Sequence, residues 1–147
     1  PSDKFVSPYP NEKAARAANG GAYPPDLSLI IKARSGGADY MHALLTGYVD
    51  APAGKKVPDG MYYNKYYSGN LIGMPQPLYE DGVTYADGTK ASPDQMAKDV
   101  TAFLAWASEP EMEDRKRLGI SVILFLLVLT ILSYLAMKQI WAPIKNK

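Results

Sequence analysis

Leu118–Met137 reads LGISVILFLLVLTILSYLAM: twenty consecutive uncharged residues, bracketed by Arg115, Lys116 and Arg117 on one side and Lys138 on the other. At about 1.5 Å of rise per residue such a helix is about 30 Å long, the thickness of a bilayer's hydrocarbon core. Tyr134 and Trp141 fall where aromatic rings meet headgroups, and the flanking basic side chains can reach outward from the helix ends. The stretch is therefore read as a single membrane span. The 117 residues before it are enough for one modest domain, and the ten after it, 138–147, form only a tail. Up to Arg117, 13 Lys and Arg face 15 Asp and Glu, a net charge of −2, whereas the tail adds Lys138, Lys145 and Lys147 with no acid. The overall charge of +1 thus hides an acidic domain on a basic tail. Three basic residues on each side of the span leave the positive-inside rule tied, so charge alone does not orient it.

Working toward the N-terminus, Glu111 to Arg117 is a charged lead-in that should run as one helix into the span, with Pro110 interrupting the pattern before it. Ser92-Pro93-Asp94-Gln95 is a helix start, with Ser as N-cap, Pro at the first helical position and Gln at the capping-box position. Met96, Val100, Phe103, Leu104 and Ala107 follow as an apolar stripe. Between Val49 and Thr89, frequent Pro and Gly leave no room for a long element, so about forty residues read as irregular loop, with at most a small hairpin at Val83 to Tyr85. A stretch of that kind in a compact domain calls for something to wrap, a ligand or cofactor. Three short helices are expected upstream. They are Pro10 to Ala18, ended by Asn19-Gly20-Gly21; Leu27 to Arg34, with Asp26 as N-cap and Gly36-Gly37 as its stop; and Asp39 to Thr46, followed by Gly47. The soluble part is thus expected to be mainly α with long irregular loops.

Several chemistries are excluded by composition. The chain has no cysteine, so it holds no disulfide, thiolate metal site or thioether attachment point. The start, PSDKFVSPYP, has no basic-then-apolar export signal, so targeting is expected from residues that are not in this chain. The one histidine, His42, has no Cys or carboxylate cluster near it in sequence and reads as a packed or surface residue. There is no phosphate loop or dinucleotide fingerprint, and the basic residues are dispersed among acids, which argues against nucleic acid. What remains is Met74, in Asn70-Leu-Ile-Gly-Met-Pro-Gln-Pro77. Pro75 pushes Met74 away from helical dihedrals and Gly73 allows close backbone approach, so a stiffened segment presents a thioether. Thioether is a soft ligand that suits haem iron, but spacing alone favours Met74 as filling a gap in the core.

Three segments add context: AARAANGGAYPPDLSLIIKARSGGADYMHALLTGY (Ala14 to Tyr48), GMYYNKYYSGNLIGMPQPLYEDGVTYADGT (Gly60 to Thr89) and MAKDVTAFLAWASEPEMEDRKRLG (Met96 to Gly119). In order and nearly without gaps, they resemble the C-terminal two-thirds of cytochrome c1, the membrane-anchored c-type haem subunit of the quinol:cytochrome c reductase, or bc1, complex. The MPQPL wording and short basic tail look more like bacterial members than animal ones. The resemblance implies a partial c-type cytochrome domain over residues 1–109, a lead-in over 110–117, a transmembrane helix over 118–137 and the basic tail over 138–147. It implies haem c as cofactor, with Met74 as the axial ligand of the iron. Arg34 matches the family arginine that lies against a haem propionate, and Asn19, Pro24, Pro25, Tyr40, Tyr67 and Ile72 match positions lining the haem pocket.

The family's C-x-x-C-H segment, which attaches the haem and gives the other axial ligand, is expected on an N-terminal part of cytochrome c1 outside this chain. The implied function is electron transfer within the respiratory chain, from the Rieske iron-sulfur subunit to a soluble or membrane-tethered cytochrome c, with no bond-making by this chain alone. Cytochrome b is the implied neighbour of the anchor, with Gly119, Ser121, Thr130 and Ser133 as small positions for close approach. The implied location is a bacterial (or mitochondrial) inner membrane, domain on the periplasmic or intermembrane side and C-terminus inside. Glu80, Asp81 and Asp87 are candidates for steering a basic partner. The alternative from another class is a non-redox, single-pass assembly subunit whose loop is ordered by protein contacts.

Overall fold

The computed structural model describes residues 5–145, so Pro1–Lys4 of the PSDKFVSPYP start and the last two residues of the basic tail lie outside the described residues. The chain divides between Glu109 and Pro110 into two units. The first contains α1 (Glu12–Ala18), α2 (Ile30–Ala33), α3 (Gly37–Thr46), β1 (Tyr62–Tyr63), β2 (Leu71–Ile72) and α4 (Pro93–Ser108); the second is α5 (Met112–Lys145). The molecule is mainly helical, as its sequence suggests.

In the first unit, α2, α3 and α4 pack on one another. Met41, Leu44 and Leu45 of α3 meet Ala97 and Leu104 of α4 and Ile72 of β2 in one buried cluster, and Ile30, Ile31, Tyr40, Tyr48 and Leu78 close its sides. Ala97 is fully buried; its small side chain leaves room for α3 and α4 to approach. At the edges, Lys32 Nζ pairs with Glu109 at 2.8 Å and His42 Nε2 lies 3.0 Å from Asp94 Oδ1, fastening α2 and α3 to the two ends of α4.

The local signals explain most element ends. Asn11 Oδ1 accepts the Ala14 N–H at 2.9 Å and begins α1. Ser92 Oγ accepts the Gln95 N–H at 3.2 Å and begins α4, with Pro93 in its first turn. Gln95 turns its amide to Asp99 instead of closing a reciprocal capping box.

Four expectations need correction. The helix read over Leu27 to Arg34 is only Ile30–Ala33, because Asp26 Oδ1 bonds the Ser28 N–H at 2.7 Å in an Asx turn and so organises a turn rather than a helix. Gly36-Gly37 does not serve as its stop: Arg34 is the C-cap, and Gly36, at φ 88°, is the N-cap of α3. A Cβ at Gly36 would sit 3.2 Å from that of Tyr40, and its left-handed conformation favours glycine. The small hairpin is not at Val83 to Tyr85 but at β1 and β2, paired antiparallel as Tyr62↔Ile72 and Tyr63↔Leu71. The buried side of α4 is Met96, Ala97, Thr101 and Leu104, not the full stripe, since Val100 and Phe103 are exposed. Phe103 instead meets Phe5 edge to face at 5.7 Å and Trp106 at 6.0 Å, an aromatic row on the outer side of α4.

The second unit is a single helix of 34 residues, so the lead-in and the apolar run are continuous. Its large apolar side chains are exposed from Leu118 to Trp141, and Met112–Pro143 is long and apolar enough to cross a membrane. Thr130 Oγ1 donates to the Leu126 carbonyl at 2.7 Å, so that hydroxyl is satisfied within the helix, as hydrocarbon surroundings require. Lys138 Nζ stands 5.7 Å from the centre of the Tyr134 ring, joining the basic and aromatic anchors at one end of the run.

Candidate functional site

Met74 follows β2 by two residues, on the chain leaving the core at Ile72. The residue is 36% exposed, so Met74 is not used as core filling. Its backbone, by contrast, is held: Tyr48 Oη donates to the Met74 carbonyl at 3.1 Å. Burial pushes the Tyr48 hydroxyl up to about 12, with the nearby Tyr79 adding to the shift, so it remains a donor across the physiological range.

The loop joining β1 to β2 is organised by Asn64, which is wholly buried. Its Nδ2 donates to the Leu44 carbonyl at 2.8 Å, and its Oδ1 accepts the N–H groups of Tyr66 at 3.0 Å and Tyr67 at 3.2 Å. The far side of the loop returns through Asn70, whose Nδ2 donates to the carbonyls of Asn64 at 3.1 Å and Lys65 at 3.0 Å. Asn70 itself has φ 62°, a left-handed position that asparagine tolerates better than most residues. The long irregular region is thus not structureless; side-chain amides replace the missing regular elements.

The residues expected at the site fall into four groups. Ile72 is buried and Tyr40 packs against the same cluster, so these two meet at the core from which the Met74 segment emerges. Tyr67 is half-exposed on the Asn64 loop, its carbonyl accepting the Asn70 N–H at 2.8 Å. Arg34 is exposed at the C-cap of α2, and among the described residues its guanidinium has no hydrogen-bond or ion-pair partner. Asn19 and the two prolines lie apart in sequence from these. Asn19 is the C-cap of α1 and its Nδ2 donates to Ala15 at 2.7 Å and Tyr9 at 3.3 Å, while Pro24 and Pro25 stand in an exposed extended segment. Beside the hairpin an open cleft of about 530 Å³ is lined by Tyr48, Met61, Tyr62, Tyr63, Gln76 and Tyr79 among others. His42 is engaged with Asp94 and Thr46 rather than with this region.

Sequence reasoning named Met74 but passed over Asn64, Asn70 and Tyr48. The available signal was an asparagine inside a tyrosine run, followed six residues later by a second one after Gly69.

This arrangement can hold a metal only in a particular way. Among the described residues no three His, Cys, Asp or Glu side chains group to cage an ion. An exposed methionine on a braced backbone, an unpaired guanidinium and exposed aromatic surface suit a flat, largely apolar, anionic cofactor that brings most of its own metal ligands. The fold and the site together define a class: a helical domain presenting one exposed methionine from a loop, on a chain with one membrane-length helix. The family model described as the Cytochrome C1 family matches residues 1–144, and the chain belongs to that family.

The chain is 55% identical over 147 residues to "Cytochrome c1, heme protein, mitochondrial" of Saccharomyces cerevisiae, covering 99% of this chain and 48% of that protein. To the protein of the same name from Schizosaccharomyces pombe it is 52% identical over 146 residues, with 99% and 48% covered. It is similar also to "Cytochrome b/c1" of Bradyrhizobium diazoefficiens, 50% identical over 161 residues, with 97% of this chain and 23% of that protein covered. The chain spans about half the length of the mitochondrial relatives it matches.

Proposed function

We propose that this chain is the methionine-bearing part of a haem-binding electron-transfer subunit of the bc1 complex, anchored by α5. The observation that carries the reading is Met74: in a chain of the cytochrome c1 family, it is an exposed methionine outside the core whose backbone carbonyl is held by Tyr48. Met74 would be an axial ligand, the free guanidinium of Arg34 would face a propionate, and Asn19, Pro24, Pro25, Tyr40, Tyr67 and Ile72 would line the pocket. A haem c bound there would supply a one-electron iron couple, with its covalent attachment and second axial ligand coming from a C-x-x-C-H segment outside residues 1–147. With a haem in place, the Met74 thioether would favour the reduced iron and raise the potential, the Tyr-rich loop would shield it from water, and the Arg34 charge would offset a propionate.

Electrons would pass from the Rieske iron-sulfur subunit to a soluble or membrane-tethered cytochrome c. Glu80, Asp81 and Asp87 are exposed on the segment beyond Met74 and supply negative charge for a basic acceptor. Thr89 N–H, bonded to Asp87 Oδ1 at 3.0 Å, holds the Asp87 carboxyl below the usual carboxylate range, so it stays ionised. The anchor would lie beside cytochrome b, the domain on the periplasmic or intermembrane side and the basic tail inside.

Met74→Leu keeps the volume and removes the sulfur, so the expected outcome is a lower midpoint potential with the domain still folded. A redox titration of membranes carrying the variant tests this, and a midpoint equal to the wild type would overturn the ligand assignment.

A further inference from the structure

We propose that Asn64 and Tyr48 are positioning residues for the Met74 ligand, forming a strut from the end of α3 that fixes where the thioether stands. The inference rests on the reading of Met74 as an axial ligand and assigns a role to two residues that touch no cofactor in that reading.

The strut has two arms, and both start from residues 44–48. In the first, Asn64 Nδ2 is tied to the Leu44 carbonyl at 2.8 Å, and the Lys65 N–H donates to the Gly47 carbonyl at 2.9 Å. Gly47 is pressed against this joint: a Cβ there would come within 2.9 Å of Asn64 Oδ1, 2.7 Å of the Ala43 carbonyl and 2.6 Å of the Tyr66 ring. In the second, Tyr48 pairs with Asn64 in an isolated antiparallel bridge, and its side chain crosses to the Met74 carbonyl at 3.1 Å. The hairpin between the arms is closed by the Asn64 N–H donating to the Asn70 carbonyl at 3.0 Å.

The chain is thus fastened to α3 both before the hairpin and at Met74. A solvated loop needs neither a wholly buried asparagine nor a hydroxyl aimed at one backbone carbonyl. A methionine ligand does, because its three rotatable bonds give no fixed position unless the backbone is held, and a weak ligand that wanders leaves its coordination place open. The bonds reach the Met74 carbonyl and not its sulfur, so both residues act through Met74.

The test is carbon monoxide binding by the reduced, haem-loaded protein in its membrane complex, read beside the midpoint potential and the thermal midpoint. Carbon monoxide enters only where the sixth position opens. Tyr48→Phe removes a single hydroxyl and is expected to raise the carbon monoxide-bound fraction about two- to tenfold, the range corresponding to one lost hydrogen bond. Asn64→Ala should raise it further, and both should lower the midpoint potential. Leu104→Ala, a core truncation on α4, should lower the thermal midpoint while binding no more carbon monoxide than wild type. The strut is wrong if Tyr48→Phe behaves as wild type, or if Leu104→Ala opens the site as far as Tyr48→Phe does. Met74→Leu separates the two readings. If it binds carbon monoxide while Tyr48→Phe does not, only the strut falls; if it too binds none, the ligand assignment falls and the strut with it. Should Asn64→Ala fail to accumulate, Tyr48→Phe decides alone.

Discussion

At the residue scale, the proposed site rests on a division of labour: the exposed Met74 would supply the ligand, while the half-buried Tyr48 holds its backbone. Gly47 shows how little slack exists, since a methyl group there meets three neighbours inside contact distance. Gly47→Ala should therefore destabilise the domain by about 1–3 kcal/mol through overpacking, read as a lowered denaturant midpoint. Ile72→Ala, which empties a buried position shared with α3 and α4, should cost about 2–5 kcal/mol in the same measurement. Gly73 and Pro75 are local signals that single Met74 out in the sequence, while its role as a ligand was reached only through resemblance. Asn64 and Tyr48 were not legible, because their roles lie in contacts 20 and 26 residues away along the chain, and no local pattern encodes such a pairing. Arg34 and the pocket positions were reached only through resemblance.

At the scale of elements, helix starts were legible where a side chain caps and failed where it competes. Ser92 accepts its own helix's N–H and α4 begins where expected, so Ser92→Ala should cost about 1 kcal/mol of stability. Asp26 offers the same kind of acceptor, yet it closes on Ser28 and shortens α2 to one turn. The β1/β2 hairpin escaped notice because two-residue strands carry no alternation to read; asparagine side chains stand in for a longer ladder.

The joint between α3 and α4 carries a pH dependence. The Asp94 carboxyl is held below its ordinary 3.8, chiefly by the hydrogen bond from Lys98, which outweighs the opposing desolvation, with the Lys98 charge and His42 adding smaller contributions. Because the folded-state value is depressed, its contribution to stability is present above 3.8 and is lost as pH falls below that through the folded-state value. Asp94→Asn should accordingly lower the stability at neutral pH and flatten the acid limb of the stability profile, as followed by circular dichroism.

At the scale of the whole molecule, two units with different solvents share one chain. The apolar run of α5 was the most legible feature, since twenty uncharged residues between basic flanks have few other uses. An arginine at Leu127, near the middle of the run, should cost about 2.5–3.5 kcal/mol of insertion and shift the protein toward the alkali-extractable fraction. The aromatic row of Phe5, Phe103 and Trp106 was hidden from sequence reasoning, because an apolar residue at helical spacing looks the same whether the described residues cover it or not.

The central claim is that Met74 completes the coordination of a haem iron. Near-infrared magnetic circular dichroism of the oxidised, haem-loaded protein reports thioether-to-iron charge transfer directly. Wild type should show that band and Met74→Leu should lose it while remaining folded; a band unchanged by the substitution, or absent from the wild type, would contradict the claim.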